Sequence, residues 1–232
     1  MTKLKRKPET RKKLVSAALK IYTSDDYKKL SIDEIITHAN VSRGTFYNHF
    51  QTIEEVLSAI SHDFSDQMVS DILPMYDILK EPWQRISVGY RLFLVRALLD
   101  RKWAMFVTRH EAWEENTLVA SYVSKDIELG KSKGNFCIES TEAATDFLMG
   151  ASAKAIERLI QGVENPGKYI DTQVRMIISS MGCNSETSEM ATEFSLTYLR
   201  HWAKGTLQGK PRKPNWARNI ESKEGNYFLN ND

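Results

Sequence analysis

Nine consecutive residues carry most of the chemistry this chain can do: Ser42-Arg43-Gly44-Thr45-Phe46-Tyr47-Asn48-His49-Phe50. On a helix, where successive residues turn by about 100°, Phe46 and Phe50 share one face suited to packing inward. Gly44 and Asn48 lie opposite, flanked by Thr45, Tyr47 and His49, so the outward face is small, polar and rich in hydrogen-bonding groups. An Asn can read adenine bidentately, and Ser, Thr, Tyr and His reach phosphates or base edges. Arg43 lies nearer the core side and is expected to meet a phosphate. Gly44 costs a helix about 1 kcal/mol relative to Ala, and close approach of another backbone, such as DNA, gives a reason for it. The predicted chemistry is recognition rather than turnover. There is no Gly-rich phosphate loop, HExxH, CxxC or G-x-S-x-G. None of the five histidines forms a close pair with another His or Cys. No catalytic residue, metal site or cofactor is expected.

The residues ahead of this stretch must hold it. Ser31 is placed to cap a helix, with Glu34 completing a capping-box pattern. Ile32, Ile35, Ile36 and Ala39 then fall on one apolar face. Asn40 tolerates the left-handed backbone that a sharp turn needs, and Ser42 caps a second helix predicted over 43–50. Two helices joined this tightly form a helix-turn-helix. Thr52 caps a further helix running towards Leu73 and Pro74. Its amino end, with Glu54 and Glu55 in the first turn, is expected to offer backbone N–H groups to a phosphate. Upstream, Leu14, Val15, Ala18, Leu19 and Tyr22 mark a buried stripe on a helix from about Glu9 to Ser24. The basic residues before Pro8 read as a flexible arm for phosphate or minor-groove contact.

Over SIDEIITHANVSRGTFYNHFQTIEEVL the chain resembles the TetR family of transcriptional regulators, whose usual form at the centre is close to V-S-[KR]-G-[TS]-[LIF]-Y-x-H-F. Three positions depart from the family: Asn40 stands where Gly is usual, Ile36 where a small Ala is usual, and Ile53 where Lys is common. The resemblance implies an all-α chain. Residues 1–57 would form the helix-turn-helix DNA-binding domain with its basic arm, and residues 58–204 a helical ligand-sensing and dimerisation domain. It further implies a homodimer that binds a palindromic double-stranded operator through Ser42, Arg43, Gly44, Thr45, Tyr47, Asn48 and His49. A repressor released by a small apolar or amphipathic ligand is the expected function. A ligand-independent or activating regulator, and a DNA-tethered interaction or architectural protein, are the alternatives.

Composition agrees with a globular protein of two domains: 232 residues, 41% hydrophobic and 27% charged. Residues 1–60 hold 11 basic and 7 acidic side chains, residues 61–204 hold 16 and 20, and residues 205–232 hold 5 and 3. The basic end coincides with the helix-turn-helix, as phosphate binding requires, and the acidic middle argues against DNA wrapping the whole molecule. No run approaches the ~18 apolar residues of a membrane span, and no signal peptide is evident. Cys137 and Cys183 fit no metal spacing, which favours a reducing cytoplasm.

Helical patterning continues over 83–100, 102–113, 116–131, 141–161, 168–181 and 185–204. Gly150, Ala151, Ser152, Ala153 and Ala155 permit close helix approach, and Met190, Phe194, Thr197, Tyr198, His201 and Trp202 form a second stripe, so both helices suit a dimer. Aromatic weight in the middle of the chain suggests a mostly apolar pocket, with Trp103, Phe106, Arg109, His110, Trp113 and Tyr122 as candidate ligand contacts. From Gly205 the text turns to Gly, Pro, Asn and Lys, which predicts a mostly disordered tail.

Overall fold

The computed structural model describes residues 3–109, 118–207, 213–218, 220–223 and 226–229. Ten helices account for most of these described residues. α1 (Lys3–Tyr22), α2 (Ile32–Ala39) and α3 (Arg43–Tyr47) form the amino-terminal bundle, and α4 (Ile53–Ile72) leads out of it. α5 (Pro82–Leu99), α6 (Arg101–Thr108), α7 (Leu118–Ser132), α8 (Thr141–Gln161), α9 (Pro166–Ser180) and α10 (Ser185–Lys204) build the larger part. A 3-10 turn (Asn215–Ala217) and an antiparallel hairpin, β1 (Ile220–Lys223) with β2 (Asn226–Leu229), follow. Among the described residues the fold is all-α apart from this hairpin.

Local chemistry explains the helix ends. Ser31, Ser42, Thr52, Ser140, Asn165 and Asn184 each accept a backbone N–H from the first turn of the helix that follows. Gly205 closes α10 in the left-handed conformation, at φ 68°. The arm expected ahead of Pro8 is instead helical from Lys3. Pro8 lies inside this helix; its fixed φ is itself helical, though its missing N–H removes one backbone bond.

Two hydrophobic clusters hold the molecule. One gathers Leu14, Ala18, Tyr22, Ile35, Phe46, Phe50, Val56 and Ile60 from α1 to α4. The other fills the space between α5 and its neighbours. α5 is buried almost all round, so it is the axis of the second cluster. It carries two buried arginines, and each needs partners to offset its desolvation. Arg91 lies 2.6 Å from Asp171 and donates to the Ser195 hydroxyl at 2.9 Å. Arg96 donates to Gln67 at 2.9 Å and sits over the rings of Trp103 and Trp216, 4.7 and 5.3 Å from their centroids.

The tail departs from expectation. Trp216 and Ile220 are buried, and the Trp216 indole donates to Asp71 of α4 at 2.8 Å. A segment with a polar composition is ordered here because a single Trp brings a large apolar area and a donor that a half-buried carboxylate accepts.

Candidate nucleic-acid interface and ligand cavity

The turn between α2 and α3 is set by Asn40, at φ 52°. Its N–H bonds Thr37 O at 3.2 Å and the N–H of Val41 bonds Ile36 O at 3.0 Å, the paired closure of a Schellman motif. Ser42 then caps α3 through the Thr45 N–H at 3.1 Å. α3 is shorter than the predicted helix over 43–50, ending at Tyr47. Helical bonding nevertheless reaches Phe50, whose N–H meets Phe46 O at 3.0 Å. That anchors Phe46 and Phe50 in the core at 0% and 3% exposure and fixes what faces out.

Ser42, Arg43, Gly44, Tyr47 and Asn48 are exposed, and Thr45 and His49 are half-buried, so all seven candidate DNA contacts share one short segment. A Cβ built on Gly44 would meet nothing closer than the Ser42 hydroxyl at 4.0 Å; no internal contact demands glycine there. Arg43 is held by Asp33 at 3.1 Å, an exposed pair worth little in energy and therefore available for exchange with a phosphate.

The amino end of α4 carries two carboxylates. Glu55 accepts the Gln51 N–H at 2.7 Å. Hydrogen bonding to backbone and to Thr52 holds the Glu54 carboxyl below its ordinary range. A phosphate approaching here would meet the Glu54 and Glu55 carboxylates as well as the helix amino end.

α4 carries the recognition segment's core at one end and forms a wall of a cavity at the other. The cavity, about 60 Å³, is lined by Val69, Leu73, Tyr76, Arg85, Ile86, Gly89, Tyr90, Phe93, Val119, Tyr122, Val123, Asp126, Leu148, Met149 and Ser152. A Cβ on Gly89 would meet nothing within 4 Å, so Gly89 helps keep this space open. Three of the polar lining side chains, Tyr76, Arg85 and Asp126, form one cluster. The Tyr76 hydroxyl donates to Asp126 Oδ2, and Arg85 Nη1 donates to Asp126 Oδ1 at 3.2 Å. The Arg85 guanidinium lies 4.4 Å from the Tyr76 ring centroid. Burial pushes Asp126 above the usual carboxylate range, against the opposing pull of Tyr76 and Arg85. Burial, reinforced by Asp126, also pushes the Tyr76 hydroxyl well above its ordinary value.

Of the four ligand candidates among the described residues, Trp103, Phe106, Arg109 and Tyr122, only Tyr122 lines this cavity. Trp103 is fully buried, stacking edgewise on Phe93 at 4.7 Å beneath Arg96. Phe106, also fully buried, belongs to the amino-terminal cluster, 5.5 Å from Tyr22 and 5.4 Å from Phe64. Arg109 reaches back to the Ser24 carbonyl at 3.2 Å and covers Tyr27 at 4.4 Å. His110 and Trp113 lie outside the described residues. Aromatic content drew attention to Trp103 and Phe106, but aromatic residues at helical spacing go to the core first. Gly89 on α5 lines the cavity, and Arg85 and Asp126 pair there across 41 positions, which no local pattern reveals.

An exposed, donor-rich second helix of a helix-turn-helix, joined by one long helix to a domain with a mostly apolar cavity, defines a class: helix-turn-helix regulators with a helical second domain. Residues 14–60 match the family described as "Bacterial regulatory proteins, tetR family", so the amino-terminal domain is similar to the DNA-binding domain of that family. Two helix-turn-helix transcriptional regulators of Pseudomonas putida, SrpR and TtgW, are each 30% identical over 81 residues, 35% of this chain. Those stretches span only 38% and 60% of the two relatives' own lengths. The fold extends further. RolR in complex with resorcinol superimposes at a TM-score of 0.65, with 21% identity, 81% of this chain and 95% of RolR covered. A gamma-butyrolactone receptor does so at 0.55, with 13% identity, 83% of this chain and 97% of the receptor covered.

Proposed function

We propose that the protein is a cytoplasmic, homodimeric transcriptional repressor that binds a palindromic operator and is released by a small, largely apolar molecule. The observation that carries this reading is the course of α4. Its first turns, through Val56 and Ile60, belong to the cluster that seats Phe46 and Phe50. Its last turns, through Val69, wall the cavity. Whatever widens the cavity is mechanically connected to the recognition segment. Ligand then favours one of two pre-existing spacings of the paired segments. One helix-turn-helix reads few base pairs, and dimers read half-sites about 34–36 Å apart. Exposed Phe147 on α8 and Met190 on α10, at 55% and 48% exposure, support a dimer through these helices. The ligand-bound RolR and the gamma-butyrolactone receptor support a sensing role for the second domain.

Selection of bound sequences from a random duplex pool tests the reading. A palindrome with one-turn half-site spacing is expected. Tyr47→Ala should weaken binding to it with the fold intact. Asn48→Ala should chiefly relax base preference at one position per half-site, an effect of about 1–3 kcal/mol. Binding without sequence preference that falls steeply with salt would instead indicate an architectural role.

A further inference from the structure

We propose that the Tyr76–Asp126–Arg85 cluster is the ligand-reading element of the cavity, and that its ligand is a neutral, single-ring molecule bearing a hydroxyl group. This rests on the sensing role proposed above and adds the ligand's chemistry and the residue it displaces. The walls contributed by Ile86, Phe93, Val123 and Leu148 are apolar, so most of the ligand must be apolar too. The polar cluster is charge-balanced, because Asp126 is already paired with Arg85 at 3.2 Å. A carboxylate ligand would have to take Arg85 from Asp126, and an ammonium ligand would have to take Asp126 from Arg85. Either exchange leaves a buried charge without its partner, which is strongly unfavourable. A neutral hydroxyl needs no such exchange. It can donate to Asp126 in the place of the Tyr76 hydroxyl, one donor for another, while the ion pair stays intact.

Size points the same way. A cavity of about 60 Å³ is less than half the ~150 Å³ that accommodates benzene in an engineered core. A single ring therefore already requires the walls to move, and Met149, an adaptable side chain, stands among them. Tyr76 forms another part of the wall. It follows directly on the 3-10 turn Leu73–Met75 at the carboxyl end of α4, while Asp126 belongs to α7 and Arg85 to α5. The Tyr76 hydrogen bond thus ties the segment that follows α4 to α7, and a ligand hydroxyl that replaces it removes that tie, leaving α4 joined to α7 farther back, where the Val119 N–H donates to Ser65 at 3.2 Å. The occupant competes with a residue of the protein for one carboxylate, which couples binding to α4.

The test uses five probes of matched size on the full-length protein: phenol, benzyl alcohol, benzoate, benzylammonium and toluene. Binding is read by calorimetry and thermal shift without DNA, and operator release by fluorescence anisotropy with the selected duplex. Phenol or benzyl alcohol should bind most tightly, and Asp126→Asn should lower that affinity about tenfold or more. Tyr76→Phe, which removes the internal competitor while keeping the ring, should raise their affinity by about tenfold, the worth of one hydrogen bond. The same variant should shrink the change in operator affinity that ligand produces. Preference for benzoate, benzylammonium or toluene overturns the proposal. So does no saturable binding of any probe at millimolar concentration, or equal hydroxyl binding by wild type and both variants. The calorimetric arm does not depend on DNA, so absence of operator binding would defeat the regulatory reading without touching the ligand assignment.

Discussion

Gly44 sits in a first helical turn with open space where its Cβ would be. If the glycine serves only the isolated protein, Ala should be an improvement. If it serves a close approach by DNA, the two properties must move in opposite directions. Gly44→Ala is expected to stabilise the protein by about 0.5–1 kcal/mol, read by urea denaturation, and to weaken operator binding about tenfold or more. Unchanged affinity would remove Gly44 from the interface. At this scale the sequence was legible wherever the partner is near in the chain. Ser31, Asn40, Ser42 and Thr52 act on residues one turn away, and their roles follow from residue type. Tyr76 and Asp126 meet across 50 positions, and Arg91 and Ser195 across 104; no local rule pairs them. Asp71, which accepts from Trp216 across 145 positions, is of the same kind. Burial raises the Asp71 pKa, only partly offset by Trp216 and Arg96. Its folded value therefore exceeds its unfolded value, and its contribution to stability is complete below the unfolded pKa and lost as pH rises through the folded one. Asp71→Asn does not titrate, so wild type should lose Tm relative to this variant as pH rises above about 4. A difference in Tm that is constant with pH would contradict the shift.

Among the elements, α6 is a short helix whose faces enter different clusters. Trp103, Ala104 and Val107 pack in the larger cluster, while Phe106 enters the smaller one. Periodicity marks such a helix as apolar without revealing that its apolar residues go to two cores. That is why Trp103 and Phe106 read as neighbours in one pocket. The long helices were easier. α8 and α10 begin one residue after capping side chains and end at glycines, so the bounds predicted for them, 141–161 and 185–204, are those observed. Phe106→Ala should cost about 3–5 kcal/mol, as for other buried aromatics, in an equilibrium denaturation curve. Because the lost contacts are with Tyr22 and Phe64, the helix-turn-helix should exchange its amides faster while α8 and α10 keep their protection.

At the scale of the whole molecule, the chain closes on itself through its tail. Trp216 covers Arg96, stacks near Trp202 at 6.0 Å and bonds α4 through Asp71. A polar composition hid this, because one Trp outweighs many Gly and Asn once a buried cation lies in reach of its ring. Trp216→Ala should cost about 3 kcal/mol or more, by denaturation, since it uncovers Arg96 as well as removing the ring. A cost near zero would return the tail to the solvated state that its composition suggests.

The position of Phe106 has one more consequence, for recombination. The helix-turn-helix is contiguous in sequence, which invites exchange between related regulators at a junction near residue 60. Its core is not contiguous, since one of its aromatic residues arrives from 46 positions beyond Ile60. A hybrid joined at that junction inherits a foreign side chain at the centre of its DNA-reading module. Viable hybrids should be those in which α6 travels with the module, or in which the incoming residue matches Phe106 in volume.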